Sequence, residues 1–345
     1  MKLGETVRGF TILAAPTTSG GGRCVWSFAE RRGNQYFIKQ FLDPKWPTDE
    51  SMGSAASKAI RREECLKFEK RVNSVNNRIN GRAAGGGNLV TATEFFREGT
   101  TYYKVTDRVA AEAAKDLREL NDRQTAVVLR TLCHSMRLLH RASIVHGDLK
   151  PANVLLQRSD TADLITAKMI DFDDSYLSGD PPPPDQIVGD QQYAAPEWLR
   201  YVKKDPEVAA EQLTVAADIF ALGLLFHVYL VGEMPGYDRG RFESPAQAVW
   251  AGEPLALSGQ LHAKTRDTVR RMTSLAAPDR PSVDDLITLL QDENVVRTGT
   301  PVPRGRSRVR VHFDPSPMAP SDTGRTAPPT PPSPGGSRLR KTFDR

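Results

Sequence analysis

The segment Val145–Leu156, which reads V-H-G-D-L-K-P-A-N-V-L-L, constrains the fold of this chain more than any other stretch. It places an acid, a cation and an amide, Asp148, Lys150 and Asn153, in a short polar run ahead of an apolar triplet. Strand-forming residues on both sides of this run favour a tight loop whose two ends are held in place. We therefore expect the three polar side chains to converge at one point.

These three residue types suit the transfer of a phosphoryl group. Asp148 could accept a proton from an attacking hydroxyl, Lys150 could hold the charge of the moving group, and Asn153 could help to bind a divalent metal. A strand-like stretch, Leu164 to Ile170, then leads to Asp171, whose carboxylate suits a metal that bridges nucleotide phosphates. Because all four positions suit the same chemistry, we do not interpret these residues as ordinary polar residues of a surface turn.

The rest of the chain divides into two unlike halves. The first half contains strand-like stretches and one helix, whose apolar residues recur at steps of three and four: Cys65, Phe68, Val72, Val75 and Ile79. The second half is mostly helical, with predicted helices at 117–142, 216–231, 263–275 and 283–291. We expect an α+β fold of two lobes, a small β-rich lobe at 1–109 and a larger helical lobe at 110–298.

Composition limits the classes of partner and compartment. The formal charge of +5 lies in the proline-rich segment 299–345, which holds nine basic and three acidic residues, whereas the remainder holds 38 basic and 39 acidic residues. We expect this segment to be a disordered tail, with docking of a partner as one possible role. A neutral folded part predicts no nucleic-acid binding. No apolar run is long enough to span a membrane, and three scattered cysteines favour a reducing, cytoplasmic compartment.

Several motifs together resemble those of eukaryotic-type Ser/Thr protein kinases. The family's H-R-D-L-K-P-x-N run is matched at His146, Asp148, Leu149, Lys150, Pro151 and Asn153, and its D-F-G motif at Asp171 and Phe172. Further matches are A-P-E at Ala195–Glu197, the D-x-x-x-x-G start of a buried helix at Asp218, and Arg280, which resembles the arginine that pairs with the A-P-E glutamate. The resemblance covers roughly Val7 to Leu290 and implies ATP, Mg²⁺ and a protein substrate. His-Gly-Asp also occurs in aminoglycoside and choline phosphotransferases, so a small-molecule kinase stays an alternative.

The resemblance also implies a set of nucleotide-binding residues. Lys39 matches the lysine of V-A-I-K that contacts the phosphates and pairs with a helix glutamate, which is Glu69 by spacing or Glu64 as the alternative. The other implied positions lie in a glycine-rich turn and at a hinge: Gly20, Gly22 and Val25, and Thr106, Asp107 and Val109.

Two departures from the family pattern bear on activity. Gly147 replaces the arginine that in many kinases binds a phosphorylated activation loop, and the stretch from Gly179 to Pro196 contains four prolines but no Ser or Thr. We therefore expect activity without activation-loop phosphorylation. Asp173 replaces the glycine of D-F-G, so this segment should flip less readily. Together with the irregular glycine turn, Asp173 leaves open a pseudokinase that binds nucleotide or a partner without turnover.

Overall fold

The computed structural model describes residues 1–20, 22, 24–83, 88–109, 117–158 and 164–299, with residues 80–83 described by their backbone alone. The predicted tail, apart from Gly299, lies outside the described residues. Within these ranges no helix combines the length and apolar character that crossing a membrane requires.

The first lobe is built on one six-stranded antiparallel sheet with the order β1-β2-β3-β4-β6-β5. Its strands are β1 Thr6–Val7, β2 Phe10–Ile12, β3 Cys24–Arg31, β4 Asn34–Phe41, β5 Ala92–Glu98 and β6 Thr101–Asp107. The chain turns between β1 and β2 at Arg8 (φ 46°) and Gly9 (φ 84°), both of which have positive φ angles.

Helix α1, Ala55–Ala83, buries the face that the sequence predicted: Cys65, Phe68 and Val72 pack against residues of the sheet, and Val75 and Ile79 join the core of the helical lobe. The five apolar residues of that face are all buried, and the Phe68 ring packs edge-on against Phe41 and Tyr102, with ring centroids 5.2 and 5.3 Å apart. Aromatic contacts of this kind stabilise the packing beyond the area they bury. The helix is therefore held against the strands that carry the lysines of the site.

The second lobe is mostly helical. Its helices are α2 Asp122–Arg141, α3 Pro196–Val202, α4 Ala216–Val231, α5 Pro245–Trp250, α6 Ala263–Met272 and α7 Val283–Leu289. The predicted helix at 117–142 begins later than expected, because Asn121 caps the first turn of α2 by accepting from the backbone N–H of Gln124, and a 3₁₀ turn, Leu117–Glu119, precedes it. Helix α4 is buried on nearly all sides. The expected α+β fold of two unlike lobes is confirmed.

Two small antiparallel pairs connect the helical lobe to the site. Strands β8, Val154–Arg158, and β9, Ile165–Met169, form an antiparallel pair in which β8 directly follows Asn153 and β9 ends two residues before Asp171. Strands β7, Ile144–Val145, and β10, Tyr176–Leu177, form a second antiparallel pair. Because the ends of paired strands lie side by side, these pairs bring the loop after Val145 next to the segment that begins at Asp171.

Candidate active site

Two polar side chains of the loop between β7 and β8 converge on the carboxylate of a third, Asp148. Lys150 Nζ lies 2.9 Å from Asp148 Oδ2, and Asn153 Nδ2 donates to the same oxygen at 2.9 Å and to the Asp148 carbonyl oxygen at 2.7 Å. The Asp148 side chain is only 10% exposed. Two side chains of the same loop therefore help to orient this carboxylate, as the spacing predicted.

The loop backbone is held by a buried aspartate of α4. Asp218 accepts hydrogen bonds from the backbone N–H groups of His146 at 2.8 Å and Gly147 at 3.2 Å, and it also contacts His140 Nε2 at 3.1 Å. The sequence marked Asp218 only as part of a motif. A lone carboxylate in an otherwise apolar helix was the available signal, because such a group is buried only when it is hydrogen-bonded.

Gly147 has a conformation and a neighbour that exclude a side chain. Its φ is +82°, and a Cβ placed on it would lie 2.6 Å from the carbonyl oxygen of Asp174. The arginine of the family pattern therefore could not be accommodated without a shift of one of these two backbones. Glycine at this position thus permits the close approach of the Gly147 and Asp174 backbones, and it also removes the positive charge that arginine would carry.

Asp171 lies across from this loop, in contact with the lysine of β4. Lys39 Nζ lies 2.6 Å from Asp171 Oδ1 and 2.7 Å from Asp173 Oδ2. Burial alone would lower the pKa of Lys39, but the two adjacent carboxylates outweigh it and raise that pKa. Burial and the nearby Asp173 charge raise the pKa of Asp171, with Lys39 opposing them.

The expected pair between Lys39 and Glu69 is not formed, and this prediction was wrong. The Glu69 carboxylate instead accepts a hydrogen bond from the hydroxyl of Tyr102 at 2.6 Å, and the alternative, Glu64, is exposed to solvent. The periodicity of α1 placed both glutamates beside its apolar face but could not show which partner each would meet. Lys39 pairs with carboxylates that follow β9.

Sequence reasoning also missed Lys104, the second lysine of the site. It lies directly opposite Lys39 in the register of β4 and β6, and its Nζ lies 2.7 Å from Asp173 Oδ1. Burial would raise the pKa of Asp173, but Lys104 and Lys39 outweigh burial and hold that pKa well below its usual range. A lysine between the apolar residues Tyr103 and Val105 was the available signal.

The donor atoms suit a hard divalent cation. The amide nitrogen of Asn153 is used in hydrogen bonds to Asp148, so the amide oxygen is the atom of Asn153 that could bind a metal. Asp171 adds carboxylate oxygens, and oxygen ligands of these types are those that Mg²⁺ prefers. No group of three or more His, Cys, Asp or Glu side chains suited to a metal occurs among the described residues.

The predicted nucleotide positions lie in the turn before β3, in β3 itself and at the end of β6. Gly20 and Gly22 have positive φ angles, 66° and 55°, in the turn before β3, and Val25 pairs with Gln40 of β4. The three predicted hinge residues lie at the end of β6, where Thr106 and Val109 are half-buried and Asp107 is exposed. Their role in nucleotide binding stays a prediction.

The segment from Asp171 to Glu197 is anchored by direct contacts with the helical lobe. Strand β10 pairs with β7, the Asp190 N–H donates to Asp148 Oδ1 at 2.9 Å, and the buried Ser175 hydroxyl donates to the His146 carbonyl at 2.9 Å. Its end is fixed by the expected ion pair with Glu197, to which Arg280 donates from two nitrogens at 2.6 and 2.8 Å. This Arg280–Glu197 prediction is confirmed.

Comparisons with known proteins agree with this geometry. A family model for the protein kinase domain matches residues 48–290, which is well over half of the chain but begins later than the motif resemblance near Val7. A calcium and calcium/calmodulin-dependent serine/threonine-protein kinase of Oryza sativa subsp. japonica is 29% identical over 168 residues, covering 47% of this chain and 30% of the relative. A probable myosin light chain kinase of Dictyostelium discoideum is 29% identical over 164 residues, covering 46% of this chain and 50% of the relative.

The chain thus spans half or less of the length of these two relatives. Among solved structures, the Cydia pomonella granulovirus kinase PK-1 superposes with a TM-score of 0.53 at 19% identity, covering 81% of this chain and 93% of that chain. A likeness at this identity supports the fold alone. The extent of the family match, together with the fold, shows that the chain belongs to the protein kinase domain family.

Proposed function

We propose that the protein is a Ser/Thr protein kinase that transfers the γ-phosphoryl group of Mg·ATP to a protein hydroxyl. Membership of the family implies ATP and usually Mg²⁺, and Ser/Thr kinases are among its relatives. The observation that carries the proposal is the Asp148 carboxylate, which Lys150 and Asn153 hold at 2.9 Å each, in a loop joined to the residue before Asp171 by the hydrogen bond from Ile170 N–H to the Asn153 carbonyl at 3.0 Å.

Each residue has a role that follows from its atoms. Asp148 accepts a hydrogen bond from the substrate hydroxyl and orients it, and Lys150 neutralises charge on the transferred group. Asn153 and Asp171 would hold magnesium, which supplies positive charge at the phosphate oxygens when it is bound. Lys39 would hold the phosphates, since its ammonium lies beside Asp171.

Activity independent of activation-loop phosphorylation is part of the proposal. The segment from Asp171 to Glu197 is already held by hydrogen bonds without any phosphate. The Asp190 N–H donates to Asp148, the Tyr201 hydroxyl donates to the Pro182 carbonyl at 3.2 Å, and the Gly179 N–H donates to the Leu213 carbonyl at 3.0 Å. Gly147 leaves no cation before Asp148 that a loop phosphate would have to neutralise. The prolines also reduce the entropy lost when the loop becomes ordered.

The test is phosphate transfer from labelled ATP to a generic protein substrate, with Asp148→Asn as the matched inactive control. We expect transfer to Ser or Thr by protein purified from cells, and equal transfer after phosphatase treatment. Loss of transfer after dephosphorylation, traced by mass spectrometry to residues 171–197, would contradict phosphate independence. The proposal of a protein kinase fails if no protein substrate is labelled while an aminoglycoside or choline is.

A nucleotide-binding protein without turnover is the second candidate. The observation in its favour is that two aspartates, at 2.6 and 2.7 Å, already occupy the Lys39 ammonium that would hold the phosphates. Calorimetric binding of Mg·ATP without phosphate transfer to any acceptor would support this candidate over the kinase.

A further inference from the structure

Lys39 and Lys104 form a buried pair of like charges on one face of the sheet. They are direct cross-strand neighbours in β4 and β6, and their side chains are only 11% and 6% exposed. Side chains in this relation lie close enough to interact, and like charges placed there destabilise a sheet. The pair therefore requires a carboxylate nearby.

Asp173 supplies that carboxylate and bridges the two lysines. One of its oxygens, Oδ1, lies 2.7 Å from Lys104 Nζ, and the other, Oδ2, lies 2.7 Å from Lys39 Nζ. Its side chain is 13% exposed, so both contacts are largely shielded from water. Asp173 thus contacts both ammonium groups through separate oxygens, and Asp171 Oδ1 is a second partner of Lys39 at 2.6 Å.

The helix carboxylate that could compete for Lys39 is used elsewhere. Glu69 accepts from the hydroxyl of Tyr102, which lies two residues before Lys104 in β6 and is only 1% exposed. The contact ties α1 to the sheet through a neutral donor. The position of α1 and the position of Lys39 are therefore set by different hydrogen bonds.

We propose that Asp173 is a positioning residue that replaces the helix glutamate as the anchor of Lys39, with Lys104 as its counter-cation. This inference rests on the proposed kinase function. The charge that Asp173 introduces in place of the D-F-G glycine is then balanced by Lys104, so this substitution is compatible with turnover. Because Asp173 is two residues from Asp171, the same segment sets the metal-binding carboxylate and the phosphate-binding lysine, and α1 does not control Lys39.

The pairing itself is tested without any turnover, by two double-mutant cycles measured in urea denaturation of the full chain. The first combines Lys39→Met with Asp173→Asn, and the matched control combines Lys39→Met with Glu69→Gln. We expect strongly non-additive losses of stability in the first cycle and additive losses in the control. Additivity in the first cycle, or coupling only to Glu69, would overturn the proposal.

The positioning role is tested in the neutral double variant Asp173→Asn with Lys104→Met. It removes one charge of each sign, so we expect a melting temperature close to that of the unchanged chain but a fall in kcat/KM for ATP of about tenfold or more. Glu69→Gln, in which Tyr102 can still donate to the amide oxygen, should cost at most about threefold. Full turnover in the double variant would mean that Asp173 only balances charge, and an equal loss in Glu69→Gln would restore the helix as the anchor; either result overturns the proposal.

A lack of phosphate transfer in the unchanged chain would contradict the kinase function alone. The denaturation cycles would still decide whether Asp173 or Glu69 anchors Lys39. The two proposals can therefore fail separately.

Discussion

Replacing Gly147 with alanine should disrupt the site more than the size of one methyl group suggests. The new Cβ would lie 2.6 Å from the Asp174 carbonyl oxygen, closer than van der Waals contact allows, in a residue whose φ is +82°. A non-glycine residue in this region costs about 1–2 kcal/mol, and overpacking of a closed space costs about 1–3 kcal/mol more. The backbone of either Gly147 or Asp174 must move.

Gly252 offers a matched control for the conformational part of that cost. Its φ is +83°, and a Cβ added there would meet no atom within 4 Å. Gly252→Ala should therefore cost only the penalty for positive φ, about 1–2 kcal/mol. The difference in the free energy of unfolding between the two variants isolates the clash with Asp174.

The assay is thermal and urea denaturation of both variants, followed by phosphate transfer. At about 2–4 °C per kcal/mol, Gly147→Ala should melt several degrees below Gly252→Ala. It should also lose about tenfold or more in turnover, because its backbone leads directly into Asp148 and small misplacements of a reacting group are costly. Gly252→Ala should keep normal turnover.

Equal melting temperatures for the two variants would refute the close approach of Gly147 to Asp174. Gly147→Arg, which introduces the family's arginine, provides a further check. We expect it to be at least as disruptive as alanine, so recovery of stability or a gain in turnover would show that the glycine serves only to omit a charge.

Three further predictions concern the base, the buried ion pair and the tail. Asp148→Asn should lower phosphate transfer by about 10²–10⁴-fold with nearly unchanged calorimetric binding of nucleotide, and equal activity would contradict its role as the base. Arg280→Ala should cost about 3–5 kcal/mol in urea denaturation, because it leaves Glu197, which is 11% exposed, without its partner; a loss below about 1 kcal/mol would show that the pair behaves like a surface salt bridge. Truncation after Gly299 should leave the melting temperature and turnover nearly unchanged, since the removed segment has few apolar residues to bury; a fall of many degrees would show that it packs on the domain.

Features that depend on residues close together in the chain could be predicted from the sequence. The loop trio of Asp148, Lys150 and Asn153 converges as its spacing indicated, and helix α4 begins at Ala216 and ends at Val231 as predicted. Local hydrophobic periodicity and loop length determine such features, and both are visible in one short stretch. The helical face of α1 was predictable for the same reason.

The partners of the lysines were decided only by the tertiary structure. The contact between Lys39 and Asp171 joins residues 132 positions apart, and that between Lys104 and Asp173 joins residues 69 apart. Periodicity shows which face of α1 or β6 is buried, but it contains no information on which side chain of another element meets that face. The sequence accordingly suggested Glu69 as the partner of Lys39 and overlooked Lys104.

Gly147 illustrates the same limit at a single residue. From the sequence it was a missing arginine, whereas the fold brings the Asp174 carbonyl to the place where its side chain would begin. The sequence by itself determined the loop, its chemistry and the elements around it. The ion pairs and close approaches were determined by packing, because their energies depend on distances between segments that meet only when the two lobes and their strands are assembled.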